Sequence, residues 1–351
     1  MRILQVSVGY TPSHGGVATN VKNISERLAK KHQVTVFAEN YKAMLPYEET
    51  INGVLVRRFD CFHPGAAYFL SPDMIKELRR SSFDIVHGHC YHGLPLYFSR
   101  YAGRKKFVVT SHYHGHGHTF SRSILFKLYK LFGRRIFNDA DVIVAVSEYE
   151  KQILMRDFGL DESKLHLIPN GVVLDDFSNA GLTPRTNTIM YAGRLEKYKG
   201  IHYIIQALPL LEDDLCLEIV GWGTYEAELM QLVDRMGLKH RVSFSKLLSR
   251  SQLLKLYSQA QVFVVLSQQE AFSIVVAEAL ASKTPCVVAR TSALKEWIDN
   301  KNCLGIDYPI DIRKLAETID KARGIKVTDV KLWDWDDVTR ALEDIYDLDE
   351  D

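Results

Sequence analysis

Short apolar runs alternate with longer helical patterns along almost the whole chain, and this alternation limits the folds that the chain can adopt. The runs are rich in valine, isoleucine and phenylalanine, as in Lys106–Ser111 and Val262–Leu266. A strand that is apolar on both sides is buried on both faces, which is typical of parallel sheets covered by helices. The repeated order of strand and helix therefore predicts an α/β fold.

A loop-like segment divides the alternation into two halves. Residues Asn179–Arg185 are rich in turn-forming types, and a new strand pattern begins at Thr188. A chain of 351 residues is long enough for two domains with separate cores. We therefore expect two domains, each built around its own sheet.

The charge is distributed unevenly between the two halves. Residues 1–165 carry 23 Lys+Arg and 15 Asp+Glu, a net charge of +8, whereas the remainder carries 21 and 28, a net charge of −7. Chance and the acidic stretch Asp347–Asp351 are one explanation. The other is that the basic half meets an anionic acceptor or a membrane surface.

Cysteine usage and the length of the apolar runs indicate the compartment. The five cysteines are scattered and form no Cys-x-x-Cys pair, which suits a reducing cytosol. No apolar run approaches the ~18 residues of a membrane span. The first residues, MRILQVSVGY, are interpreted as a strand rather than a signal peptide. We expect a cytoplasmic protein.

Two carboxylates follow one of the predicted strands of the second half. Glu270 comes after Val262–Leu266, and Glu278 lies in the predicted helix Ser273–Ala281, ahead of a strand at Pro285–Ala289. Open α/β sheets bind ligands at the carboxyl ends of their strands. Carboxylates there could accept strong hydrogen bonds from the hydroxyls of a polyol. The alternative is that both are solvated residues at helix ends.

Serines precede two of the predicted helices. Ser273 is a plausible side-chain cap for the helix that ends at Ala281. Ser147 is followed three residues later by Glu150, which is the spacing of a capping box.

Two basic residues follow the strand that begins at Thr188. Arg194 and Lys199 lie five apart in one loop, next to a predicted helix start. Such a cation pair suits a diphosphate. Cleavage of a sugar–diphosphate bond without a metal needs positive charge at the leaving group. Taken alone, however, two basic residues in a loop usually face solvent.

The first half has a glycine pair and a histidine-rich loop after its strands. Gly15 and Gly16 precede a helical pattern and could admit a ligand close to the backbone, or they could form only a tight turn. Because a G-x-G-x-x-G motif is absent, a dehydrogenase is disfavoured. The histidines could form a zinc site, although no cysteine joins them, or a polar loop at the ligand edge. They are His87, His89, His92, His112, His114, His116 and His118.

The pattern over 120–137 combines apolar and basic residues on the same side. One apolar stripe, which includes Phe132 and Ile136, is typical of a core helix with a charged outer face. Ile124, Phe126 and Leu131 fall outside that stripe, among the basic residues. This second group would suit an anionic membrane surface or a lipid-linked acceptor.

Together these motifs resemble the retaining family 4 glycosyltransferases with the GT-B fold, of the "glycosyl transferases group 1" type. Glu270 and Glu278 have that family's Glu-x7-Glu spacing, the following ASKTP resembles its AxGxP, and GRLEKYKG matches its GRLxxxKG. The resemblance implies two Rossmann-like domains that face each other across a cleft. It places the first domain at 1–168 with a returning helix at 333–351, and the second at 169–332.

The resemblance also assigns residues to roles. It implies a catalytic set of His112, Arg194, Lys199 and Glu270, with His112 near the reacting centre of the donor. The implied donor-binding residues are Gly16, Gly193, Arg194, Lys199, Gly221, Lys246, Leu247, Glu270, Ala271, Phe272, Ser273, Ile274 and Glu278. No metal or cofactor is expected, since no Asp-x-Asp motif occurs near the sugar site.

The chain departs from the family pattern at a few positions. Ala271 and Ser273 stand where the family often has glycine, and both can still supply a backbone N–H. Lys283 also replaces a glycine, at a position that often requires a positive φ. A side chain there costs on the order of 1 kcal/mol.

The expected activity is transfer of a hexosyl-type sugar, with retention, from a UDP-, GDP- or ADP-linked donor to a saccharide or lipid-linked saccharide. An anionic membrane that contacts 120–137 is a further expected partner, which would place the protein on the inner face of the membrane; nucleic acid is not expected. The alternatives are a nucleotide-sugar epimerase, a phosphorylase, or a non-catalytic nucleotide-sugar binding protein.

Overall fold

The computed structural model describes residues 1–13, 15–40, 44–62, 70–115, 120–178 and 186–347, without the side chains of 120–128. Contacts divide the chain into two compact units. Unit 1 comprises Met1–Gly171 and Trp335–Asp351, and unit 2 comprises Val172–Asp334. The predicted linker at 179–185 lies outside the described residues.

Unit 1 contains a twisted sheet whose described strands are parallel except at one edge. The strand order is β3-β4-β2-β1-β5-β6-β7-β8, and only the β3–β4 pairing is antiparallel among the described strands. The strands are β1 Arg2–Ser7, β2 Gln33–Asn40, β3 Glu48–Ile51, β4 Val54–Asp60, β5 Ile85–His89, β6 Lys106–Thr110, β7 Val142–Ala145 and β8 Leu165–Leu167. β5 and β6 are buried along nearly their whole length, as a sheet covered on both faces requires.

Helices cover the sheet of unit 1. They are α1 Gly16–Leu28, α2 Pro72–Arg80, α3 Leu94–Ser99, α4 Phe120–Asp139, α5 Glu148–Phe158 and α11 Trp335–Tyr346. The last of these comes after unit 2 in the chain yet packs against α1. Ion pairs join the two helices, with Arg27 Nε 2.6 Å from Asp336 Oδ1 and Lys31 Nζ 2.8 Å from Glu343 Oε2.

Unit 2 repeats the strand–helix order around a second sheet, whose described strands are all parallel. Its strand order is β11-β10-β9-β12-β13-β14. The strands are β9 Thr188–Ala192, β10 Cys216–Val220, β11 Val242–Ser245, β12 Val262–Val265, β13 Cys286–Ala289 and β14 Cys303–Ile306. The helices are α6 Ile201–Ala207, α7 Glu226–Arg235, α8 Arg250–Gln259, α9 Ile274–Ala281 and α10 Ile312–Arg323. The predicted α/β class is therefore confirmed in both units.

Strand β3 was not predicted from the sequence. Its residues, EETI, are exposed or only partly buried, because the strand forms one edge of the sheet. An edge strand of this kind lacks the apolar run by which the other strands were predicted.

Candidate active site

The candidate donor residues of unit 2 follow the carboxyl ends of four strands that are neighbours in the sheet. Gly193, Arg194 and Lys199 come after β9 and Gly221 after β10. The remaining members follow β11 and β12; they are Lys246, Leu247, Glu270, Ala271, Phe272, Ser273, Ile274 and Glu278. Because parallel strands all end at the same edge, one side of unit 2 carries the whole group.

Glycine lets two of these loops approach each other. The Gly221 backbone has φ 141°, and a Cβ at this position would lie 1.9 Å from the carbonyl oxygen of Gly193. Larger side chains are therefore excluded where the loops after β9 and β10 meet. The loops are joined by a hydrogen bond from Leu195 N to Trp222 O of 2.9 Å.

A lysine and a glutamate form an ion pair at this edge. Lys199 Nζ lies 2.5 Å from Glu270 Oε1, and the two side chains are only 13% and 16% exposed. Burial alone would lower the pKa of Lys199, but Glu270 and Tyr198 together more than offset that effect, so the pKa is raised. The lysine therefore holds a positive charge beside a carboxylate, in a position with little solvent.

Arg194 stands in the same loop and is exposed. Its Nη2 donates to the Tyr198 hydroxyl at 2.9 Å, and the Tyr198 carbonyl in turn accepts from Gln268 N at 2.9 Å. The loop after β9 is thereby tied to the loop after β12. Two cations in one loop can bind the oxygens of a diphosphate.

The loop that carries Glu270 is held by the segment after β13. Glu270 N donates to Ser292 Oγ at 2.8 Å, and Ala293 N donates to Glu270 O at 3.3 Å. Farther along the loop, the indole Nε1 of Trp297 donates to Phe272 O at 2.8 Å. These contacts fix the backbone on both sides of Ala271.

Ser273 occupies the N-cap position of α9, but the predicted side-chain cap is wrong. Its backbone is left-handed at φ 82°, instead of extended as a capping serine requires, and no capping hydrogen bond forms within the described chain. Its buried hydroxyl has no protein partner there. The left-handed conformation predicted for Lys283 is confirmed, with φ 61°. Both positions thus keep a glycine-like backbone without glycine.

Two polar side chains between β12 and Glu270 were not expected from the sequence. Ser267 Oγ and Gln269 Oε1 are buried and have no hydrogen-bond partner within the ranges described above. Buried polar atoms are normally satisfied, so unsatisfied ones at a ligand edge indicate a site that a polar ligand completes. Their position directly after an apolar strand was the available signal.

Glu278 is buried in α9 and is held by other parts of unit 2. Its Oε1 accepts from Arg250 Nη1 at 2.5 Å, and its Oε2 accepts from the Tyr257 hydroxyl at 3.2 Å. Arg250 Nε also donates to Asp176 Oδ2 at 3.0 Å. Both carboxylate oxygens of Glu278 already accept hydrogen bonds from the protein. Each oxygen has a second lone pair, which could accept a hydrogen bond from a sugar hydroxyl. Neither Arg250 nor Tyr257 was expected from the sequence.

The loop after β11 presents backbone to solvent. Leu247 is 81% exposed and left-handed at φ 52°. The neighbouring Lys246 Nζ lies 2.5 Å from Glu226 Oε1. An exposed, fixed backbone of this kind can offer N–H and C=O groups to a base.

In unit 1, His112 follows β6 and is almost fully buried. Its ring lies 6.2 Å from that of His89, which lies 4.1 Å from that of His87. Burial lowers the pKa of His112 to about 4 and that of His87 to about 3, so both are neutral at pH 7. The Nε2 of His112 has no hydrogen-bond partner in the described residues.

His87 and His89 belong to an interior hydrogen-bond network instead of a pocket lining. His87 Nδ1 lies 2.5 Å from the Tyr346 hydroxyl, and its Nε2 lies 2.7 Å from Thr110 Oγ1. His89 Nε2 lies 2.6 Å from Gln5 Oε1. Through Tyr346 this network ties α11 to the sheet.

The other candidates of unit 1 are placed only in part. Gly16 is the first residue of α1 and is exposed, after Gly15 with φ 134°. Within the described residues no group of three or more His, Cys, Asp or Glu could hold a metal ion. His116 and His118 lie outside those residues. No helix in the described ranges is long and apolar enough to span a membrane.

Comparisons with known proteins cover nearly the whole chain. The family model "Glycosyltransferase Family 4" matches residues 14–176, and "Glycosyl transferases group 1" matches residues 175–323. An uncharacterized glycosyltransferase of Methanocaldococcus jannaschii is 27% identical over 393 residues, which cover 99% of this chain and 98% of that protein. A GDP-mannose-dependent alpha-(1-6)-phosphatidylinositol monomannoside mannosyltransferase of Mycolicibacterium smegmatis is 28% identical over 273 residues, with 72% and 69% covered.

Solved structures show the same fold. Sucrose-phosphate synthase from Thermosynechococcus elongatus superposes with a TM-score of 0.80 at 21% identity, and 98% of each chain is covered. Anabaena HepE in complex with UDP and glucose superposes with a TM-score of 0.78 at 18% identity, again with 98% of each chain covered.

Proposed function

Because this chain belongs to the family 4 glycosyltransferases, we propose that it transfers a sugar from a nucleotide-diphosphate-sugar to a hydroxyl acceptor with retention of configuration. The observation that carries the proposal is the partly buried pair of Lys199 and Glu270, 2.5 Å apart, with Arg194 in the same loop. A cation for the leaving group and a carboxylate for the sugar hydroxyls stand side by side.

Each residue of unit 2 has a distinct task in this proposal. Arg194 and Lys199 neutralise the diphosphate as it departs, which supplies the positive charge without a metal. Glu270 accepts hydrogen bonds from the donor sugar and positions it. Glu278 holds the ribose, and the backbone at Leu247 meets the base.

The reaction breaks the bond between the sugar C1 and the diphosphate oxygen. The acceptor oxygen bonds to C1 on the face that the diphosphate leaves, and the acceptor proton passes to a phosphate oxygen. The His112 ring is neutral, and its Nε2 hydrogen-bonds to the substrate. Gly16, at the start of α1, offers free backbone N–H groups.

The names of related proteins narrow the choice of substrate. HepE was solved with UDP and glucose, and the mycolicibacterial relative uses GDP-mannose with a phosphatidylinositol mannoside. A Xanthomonas oryzae relative is named a GDP-mannose:cellobiosyl-diphosphopolyprenol alpha-mannosyltransferase. We propose a UDP- or GDP-linked hexose as the donor and a lipid-linked saccharide as the acceptor, with a cytoplasmic site of action at the membrane.

A thermal-shift panel of UDP-, GDP- and ADP-sugars in the presence of EDTA tests the donor. A ligand at about 100 times its Kd stabilises by about 2.7 kcal/mol, which is several degrees. We expect one nucleotide family to shift the wild type and the control Arg313→Ala, an exposed arginine on α10, but not Arg194→Ala. No shift with any donor would refute the proposal. Retention is then read from the anomeric proton of the product by NMR.

Helix α4 carries an exposed group that fits a lipid surface. Leu131 and Phe132 are 72% and 57% exposed, so the expected place of Phe132 in a core-facing stripe is wrong. Arg134 and Arg135 beside them are also exposed. Apolar side chains next to cations suit insertion among anionic headgroups. We propose that this group, Leu131, Phe132, Arg134 and Arg135, contacts the anionic membrane that presents the acceptor.

Vesicle flotation tests the membrane contact. Wild type should bind vesicles that contain an anionic phospholipid, and high salt should weaken the binding. The double variant Leu131→Ser/Phe132→Ser should bind about tenfold less well, because it loses the apolar area that enters the lipid. Leu210→Ser, at a 52% exposed leucine of unit 2, is the matched control and should bind as the wild type does. Equal binding by the double variant would exclude the contact.

A further inference from the structure

The Glu150 carboxylate, on α5, does not make the capping contact that the sequence predicts for it at the helix start. Ser147 Oγ accepts from Glu150 N at 3.0 Å, which is one half of the predicted capping box. The other half of the predicted capping box is wrong, because the fully buried Glu150 carboxylate accepts hydrogen bonds from other groups. Its Oε2 accepts from Val146 N at 2.7 Å, whereas its Oε1 points to the loop after β6.

That loop contains His112, and Glu150 binds the residues on both sides of it. Glu150 Oε1 accepts from Ser111 Oγ at 2.5 Å and from Tyr113 N at 2.5 Å. Between these two contacts His112 adopts a left-handed backbone with φ 47°. A non-glycine residue in this conformation costs of order 1 kcal/mol or more, and it persists only where the surroundings enforce it.

The enforced conformation also determines where the histidine ring lies. The ring is stacked near His89, and its Nε2 is buried without a partner among the residues described. If the backbone relaxed to a right-handed or extended conformation, the side chain would leave this position. The nitrogen available to a substrate thus depends on a backbone angle that Glu150 maintains.

We propose that Glu150 is a positioning residue, whose carboxylate clamps Ser111 and Tyr113 so that the His112 ring is presented to the substrate. This rests on the proposed role of His112 in sugar transfer. A carboxylate is suited to the clamp because it only accepts hydrogen bonds, and Val146 N, Ser111 Oγ and Tyr113 N all donate to it. A glutamine would turn an N–H₂ group toward one of those donors and release one end.

A double-mutant cycle with His112 separates positioning from a general structural effect. Glu150→Gln should lower kcat by about tenfold to a hundredfold, the scale that a misplacement of about 1 Å causes, while the KM of the donor is little changed. In a His112→Ala background the same change should have little further effect on kcat. Glu148→Gln, an exposed carboxylate on the same helix, is the matched control and should leave kcat unchanged.

The outcomes are distinguishable. Donor thermal shifts should be similar for wild type and Glu150→Gln, since Lys199, Glu270 and Glu278, which hold the donor in the proposal, lie in unit 2. If wild type neither binds a donor nor turns over, the proposed function fails. If wild type turns over and Glu150→Gln matches it, or loses as much activity without His112 as with it, the positioning role is overturned. Should Glu150→Gln not fold, Ser111→Ala removes one arm of the clamp, and wild-type kcat in it would overturn the role equally.

Discussion

Replacing Lys199 by methionine should lower turnover by about 10²- to 10³-fold, the usual cost of removing one group that stabilises developing charge. The lysine ammonium is positioned 2.5 Å from Glu270 and is charged in a site with little solvent. Methionine matches the lysine side chain up to its last carbon but leaves the departing diphosphate without that cation. Steady-state rates at saturating donor measure the effect. Lys197→Met, at an exposed lysine of the same short helical turn, should retain full activity.

The same substitution separates chemistry from folding. Without its partner, the Glu270 carboxylate stays in a poorly solvated position, and breaking such a pair costs about 3 kcal/mol. The double variant Lys199→Met/Glu270→Gln removes both charges and should recover most of the lost melting temperature. It should not recover turnover. Recovery of turnover would show that the pair serves only the fold, contrary to the role proposed for it.

Replacing Glu39 by glutamine should make stability much less dependent on pH. Glu39 lies in β2, is 4% exposed, and both carboxyl oxygens have no hydrogen-bond partner in the described part of the chain. Burial raises its pKa from 4.5 to about 9. The folded protein therefore holds a proton that the unfolded chain releases above pH 4.5. The stability from this group is fully present below pH 4.5 and is lost as the pH rises toward 9.

Glutamine is neutral at every pH and has nearly the same shape. The variant should match the wild type near pH 4.5 and exceed it by about 3 kcal/mol at pH 7, because each pH unit contributes about 1.4 kcal/mol. Urea unfolding of both proteins from pH 5 to 9 measures the difference. Glu317→Gln, at an exposed position on α10, should leave the pH curve unchanged. Parallel curves for Glu39→Gln and wild type would contradict the prediction.

Buried histidines impose a pH dependence of the opposite sign. Burial lowers the pKa of His87 and His112 to about 3 and about 4, below the usual 6.5. Their contribution is fully present above pH 6.5 and is lost as the pH falls toward those values. This histidine contribution is the same in wild type and Glu39→Gln, so it cancels when their curves of stability against pH are subtracted.

The sheet architecture could be predicted because a strand that is buried on both faces appears in the sequence as a continuous apolar run. Apolar runs such as Val262–Leu266 record that environment residue by residue. The edge strand Glu48–Ile51 lacks such an apolar run because it is only partly covered. Hydrophobic patterning thus reports how deeply a strand is buried, and it fails where burial is incomplete.

The sequence names the residues of the candidate site but not the contacts that they make. The resemblance named Lys199 and Glu270, yet nothing in the spacing of 71 residues indicates that they pair. The spacing of Ser147 and Glu150 correctly predicts a helix start, but a competing contact from the loop around His112 takes the carboxylate. Local motifs specify which groups are present, whereas partners distant in the chain decide what each group binds.

The position of helix α11 in the chain determines the order in which the two units can be completed during translation. The helix is made after the whole of unit 2, yet it supplies Tyr346 to the buried network of His87 and packs against α1. Unit 2 is one continuous stretch, Val172–Asp334, and every strand of its described sheet is available once that stretch has emerged. Unit 1 is therefore synthesised first but completed last. The surface of unit 1 that α11 covers stays uncovered until α11 has been made.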